Sequence, residues 1–136
     1  MRKVLHTAVT TALIALTGCA THPSGLSCKP PSHAMNRVEL LFGAATNDGK
    51  PITASDWQDF LDREVTPRFP AGLTVYEAYG QWQGSDGKIE KSPSRVLLIW
   101  YEGDVSTRID AIREAYKKRF AQDSVMRVDS ADCVSF

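Results

Sequence analysis

The chain has 136 residues, and 16 Lys and Arg are balanced by 16 Asp and Glu. That length holds one domain of ordinary size with a terminal extension. No basic run or basic–aromatic interleaving is present in the body of the chain, which argues against nucleic acid as a partner.

The first segment, "MRKVLHTAVTTALIALTGCA", reads as an export signal. Arg2 and Lys3 form a positive start, and Ala8 to Leu16 form an apolar run too short to span a bilayer. Leu16-Thr17-Gly18-Cys19 resembles the lipobox of bacterial lipoproteins, so residues 1–18 are expected to be removed and Cys19 to carry lipid. The competing reading is an ordinary secretory signal that happens to hold a cysteine. Ala20 after the cysteine, rather than Asp, points to the outer membrane, with the domain facing the periplasm. Several acyl chains anchor firmly, since each buried methylene contributes about 0.8 kcal/mol. Loss of Arg2 and Lys3 leaves the mature chain slightly acidic. Residues 19–36, ending in "THPSGLSCKPPSHAMN", are rich in Pro, Ser and Gly and read as the lipidated cysteine and a flexible tether.

With Cys19 lipidated, Cys28 and Cys133 remain in an oxidising compartment, where such a pair forms a disulfide. The alternative is a metal site, because His22, Cys28, His33 and Met35 lie close together and soft sulfur with imidazole suits copper or zinc. Their spacing matches no finger or blue-copper pattern, and neither a metal nor a cofactor is expected.

Residues 37–136 form a single α+β domain. "RVELLFG" alternates Val38, Leu40 and Phe42 and predicts a strand. Asn47-Asp48-Gly49 is a turn, and Thr53 with Asp56 forms an N-cap pair for a helix. Trp57, Phe60, Leu61 and Val65 share one helical face, with Asp59, Asp62 and Arg63 opposite. Pro67 ends or kinks this helix, Pro70 forbids a restart and Gly72 lets the chain reverse, so "VTPRFPAG" reads mainly as a connector. Leu73 to Gln83 is a second strand, and Ser85-Asp86-Gly87 turns the chain back. "RVLLIWY", Arg95 to Tyr101, is apolar on both faces and suits a central strand; Pro93 before it marks a bulge or the strand's start. A second helix buries Ile109, Ile112, Tyr116 and Phe120 and pairs Glu114 with Lys118 on its solvent side. The last strand begins near Val125.

The order strand, helix, strand, strand, helix, strand is the split βαβ, or ferredoxin-like, arrangement: an antiparallel four-stranded sheet with both helices on one face. In this topology the last strand lies antiparallel beside the first. Cys133 then falls near Cys28, and the pairing and the topology support each other.

The phrases "RVELLFG", "EVTPRFPAGLTV", "YGQW", "IDAIREAYKKRF", "SVMRVD" and "CVSF" resemble the small exported bacterial proteins grouped as domain of unknown function 3574. The resemblance covers nearly all of the domain and departs around "EKSPSRVLLIWYEGDV". It implies an exported or lipid-anchored protein and transfers no catalytic role to any residue.

A sheet with helices on one face leaves the other open. If the strand faces coincide, Glu39, Tyr79, Gln81 and Arg127 cluster there, as candidates for acid–base chemistry (Glu39, Tyr79, Arg127) or for a polar ligand (Gln81). The plainer reading is a Glu39–Arg127 cross-strand ion pair covered by a second copy in a homodimer. A one-residue bulge near Glu77 would bring Tyr76 and Trp82 to that face instead. Arg68 could hold an anion, or pair with Glu64 one turn away. The only histidine near the domain is His33, no GxxxxGK[ST] loop is present, and Asn47, Asp48 and Asp86 are turn formers with too few oxygen donors for calcium. Two functions compete: a lipid-anchored envelope protein with a non-catalytic binding or structural role, and a small-molecule enzyme working on the open sheet face of a dimer. With no nucleophile, metal set or cofactor loop visible, the first is preferred.

Overall fold

Val38, Leu40 and Phe42 are fully buried, and the strand that carries them organises the domain. The computed structural model describes residues 25–136. Its elements are β1 (His33–Gly43), α1 (Ala54–Phe60) continued by a π-helical turn (Leu61–Val65), β2 (Thr74–Gln83), β3 (Ile89–Tyr101), α2 (Ser106–Phe120) and β4 (Met126–Val134). The four strands make one antiparallel sheet in the order β2-β3-β1-β4. This is the ferredoxin-like split βαβ architecture.

One apolar cluster holds the layers together. It joins Val38, Leu40 and Phe42 of β1 and Leu97 and Ile99 of β3 to Trp57, Phe60, Leu61 and Val65 of the first helical segment and Ile109, Ile112, Tyr116 and Phe120 of α2. Both helices therefore cover the same sheet face. Phe42 sits at its centre, with ring centroids 4.5 Å from Tyr116, 5.3 Å from Trp57 and 6.0 Å from Phe60. The Tyr116 hydroxyl donates to the Gly43 carbonyl at 2.7 Å, and burial pushes this phenol up to about 12. It therefore stays protonated as a donor at neutral pH.

The helix start follows the sequence reading: Thr53 Oγ1 accepts from the Asp56 amide at 3.1 Å. Its end differs. Before Pro67 the helix widens into the π turn, closed by the Thr66 amide donating to the Leu61 carbonyl at 2.8 Å. The connector after it also contributes to the core, since Phe69 is buried and carries the Arg108 guanidinium 4.9 Å above its ring. On α2, Glu114 pairs with Lys117 at 2.6 Å, not with Lys118.

Two strands are longer than expected. β3 starts at Ile89, and Pro93 lies within it; the Pro93 carbonyl accepts from the Ala44 amide at 3.0 Å, just where β1 has ended and no longer needs a donor. β1 starts at His33, inside the segment expected to be a tether, because its first residues pair with the end of β4, His33 opposite Val134 and Ala34 opposite Cys133. Cys28 and Cys133 form a disulfide there, with Sγ–Sγ 2.06 Å and Cα–Cα 5.5 Å. Cys28 is thereby withdrawn from the metal alternative. His22, Cys19 and the segment 1–18 lie outside the described residues.

Candidate functional site

Strand register decides which side chains reach the open face. Leu40 is in the core and stands opposite Leu97 on β3 and Arg127 on β4; Leu97 in turn stands opposite Val75 on β2. Residues in step with these point towards the helices. Those out of step form the open face: Arg37, Glu39, Leu41 and Gly43 on β1, Thr74, Tyr76 and Trp82 on β2, Val96, Leu98 and Trp100 on β3, and Met126, Val128 and Asp132 on β4.

This register separates the four residues expected to converge. Glu39 is on the open face. Tyr79 and Gln81 share the parity of Val75, so they lie on the helix side, beyond the helices; Tyr79 is 83% exposed. Arg127 also faces the helix side, where its guanidinium grips Asp129 at 2.9 Å and lies 3.7 Å from Asp110 of α2. The expected Glu39–Arg127 pair is therefore not formed. A one-residue change of parity moves a side chain through the sheet, and β4 presents its charged parity to the helix side. Tyr76 and Trp82 reach the open face with no bulge, since the β2–β3 register is unbroken from Thr74 to Gln83. Arg68 is held by Glu64 at 2.9 Å, the structural alternative to an anion site.

The open face carries large apolar side chains with one polar line across it, the serines Ser92, Ser94 and Ser130, and Glu90 towards the β2–β3 hairpin. Tyr76 and Trp82 are each 49% exposed, Met126 59% and Val128 44%. Leu98 is buried between neighbouring strands on this side and is not part of the helix-side core. The polar line runs from Glu39 to Arg37, then from Arg37 Nη1 to Asp132 at 3.7 Å, and ends with Trp100 Nε1 donating to Asp132 at 3.0 Å. These groups are spent on one another. The exception is Arg37 Nε, which is buried without a partner.

Two hollows flank the ridge of large side chains. One, of about 510 Å³, is floored by Gly43, Gly80, Ser92 and Ser94 and walled by Trp82 and Met126. The hollow is tight at Gly43: a Cβ there would stand 2.8 Å from Gln122 Oε1, while Gln122 Nε2 donates to the Ala45 carbonyl at 2.7 Å. The other, of about 560 Å³, lies by Trp100, Asp132 and Phe136. Among the described residues no group of three or more His, Cys, Asp or Glu is placed to hold a metal, and no helix is long and apolar enough to cross a membrane.

A family model described as a protein of unknown function, DUF3574, matches residues 37–136. The chain belongs to this family. No curated protein matches it. Among solved structures, the DUF3574 domain is similar to a phage SAM lyase in complex with S-methyl-5'-thioadenosine, at 14% identity and a TM-score of 0.54 over 75% of this chain and 90% of that one. It also matches the apo state of a phage SAM lyase, at 14% identity and a TM-score of 0.52 over 82% of this chain and 95% of that one. CutA from Synechococcus elongatus matches at 12% identity and a TM-score of 0.47, over 74% of this chain and 82% of that one. At such identity, the likeness to the lyase concerns the fold alone.

Sequence reasoning passed over Trp100, Met126, Val128 and Asp132 of the DUF3574 domain. The signal for them was present: β3 is apolar at both parities, which buries a strand on two sides, and only one of those sides is covered by helices.

Proposed function

We propose that this protein is a lipid-anchored envelope protein, held through Cys19 at the outer membrane and facing the periplasm, whose DUF3574 domain works by binding rather than by catalysis. The binding surface is the open sheet face. The observation that carries this is the inverted pattern of β4: Met126 and Val128 lie half-exposed on the open side while Arg127 and Asp129 take the helix side. A strand whose open face met only water would carry the opposite pattern. The acid–base alternative loses its support, because Tyr79, Gln81 and Arg127 stand on the far side of the sheet from Glu39.

The disulfide sets the reach of the anchor. Nine peptide steps separate Cys19 from Cys28, and an extended chain of that length spans at most about 30 Å. The corner of the domain carrying Cys133 thus stays near the lipid surface. Anchoring is tested by Cys19→Ser: the variant is expected in the soluble periplasmic fraction, without the mobility change of lipidation. Normal membrane fractionation of that variant would contradict the reading.

A further inference from the structure

We infer that the occupant of the open sheet face is a second copy of this chain, packed sheet against sheet; this rests on the reading of that face as the binding surface. Three observations favour the second copy over an unrelated partner.

The first is area. The strands contain 11, 10, 13 and 9 residues. At roughly 3.3 Å rise and 4.8 Å spacing they present a face on the order of 700 Å². Two such faces approach the standard interface of about 800 Å² per partner. The face is large enough for a stable dimer without help from the loops.

The second is charge. The central polar groups, Arg37, Glu39, Asp132 and the Trp100 indole, are paired with one another, with only Arg37 Nε among them buried without a partner. Arg37 answers Glu39 directly, and the one excess negative charge of the line, on Asp132, is tolerated against an identical surface where that carboxylate keeps its water. Asp132 lies towards the end of β4, where it can stay at the wet rim.

The third is relief. Tyr76, Val96, Leu41 and Met126 form a ridge across all four strands, and the next row, Ala78, Ser94 and Gly43, is small. Sheets packed face to face lie about 10 Å apart and interdigitate. A two-fold axis sets the ridge of each copy into the hollow of the other, so one surface supplies both shapes.

Native mass spectrometry of the mature lipidated chain, released from detergent micelles at micromolar concentration, tests this. The dimer is expected as the main species. Ser94→Leu, which fills the hollow, and Val128→Glu, which charges the edge of the face, should each weaken it by about tenfold or more. Tyr79→Asp, on the other face, should leave it unchanged, and thermal melts should show all three variants folded. A monomeric wild type, an assembly of any other size, or a Ser94→Leu protein that dimerises like the wild type would overturn the inference. Any of these would remove the second copy while leaving Cys19 anchoring and binding by the open face to stand or fall on their own tests.

Discussion

Opening the Cys28–Cys133 disulfide is expected to cost the domain about 4–5 kcal/mol by the chain-entropy account, since the bond closes nearly the whole domain into one loop. The two cysteines are 105 residues apart in sequence. Marginal stability of about 5–15 kcal/mol is usual for a domain, so this one bond supplies a large part of it. With a urea slope of about 1.5 kcal/mol/M, the unfolding midpoint should fall by about 3 M on reduction. The Cys28→Ser, Cys133→Ser double variant should match the reduced protein. The bond also closes the end of the β1–β4 ladder, where His33 pairs with Val134, so hydrogen exchange of the amides from His33 to Asn36 should quicken first. A midpoint shift below about 1 M would show that the ladder and core hold the domain without the bond.

Phe42→Ala should have an effect of similar size. Its ring is fully buried among Trp57, Phe60 and Tyr116, and removing it leaves a cavity that three other rings cannot close without leaving their rotamers. A loss of about 3–5 kcal/mol is expected in denaturant melts. The comparison is Tyr79→Ala, an equally large truncation at an exposed position, which should stay within about 0.5 kcal/mol of the wild type. Equal losses at the two positions would mean that the β2 register places Tyr79 in a core.

These two positions mark where the sequence was legible. Phe42 belongs to a strand with one apolar parity, and the core followed directly from it. The helix faces, the strand order and the disulfide were equally open to inspection, because each rests on a strong period or on the single pairing left to two cysteines. Tyr79 belongs to a strand with aromatics at both parities: Tyr76 and Trp82 on one, Tyr79 on the other. Leu73 and Val75, packed against the core, and Glu77, paired with the buried Arg95 at 3.2 Å, fix that register. On β4 the usual assumption, apolar residues inward, gives the wrong face, since its inward parity carries Arg127 and Asp129. The assumption fails where a sheet has two apolar faces and only one is covered by its own helices. The π turn and the burial of Phe69 were hidden for another reason. Prolines announce that a helix stops, but not how its last turn is wound.

The central claim is that the open sheet face, not the separated polar candidates, is the working surface. Photo-cross-linking in intact cells tests it most directly, with a photoreactive phenylalanine analogue replacing Tyr76, Trp82 or Met126 on the open face, and Tyr79 or Arg127 on the other. The account predicts adducts of twice the chain's mass from the first three positions and none from the last two. Adducts confined to the positions of Tyr79 and Arg127, with the open face silent, would contradict it.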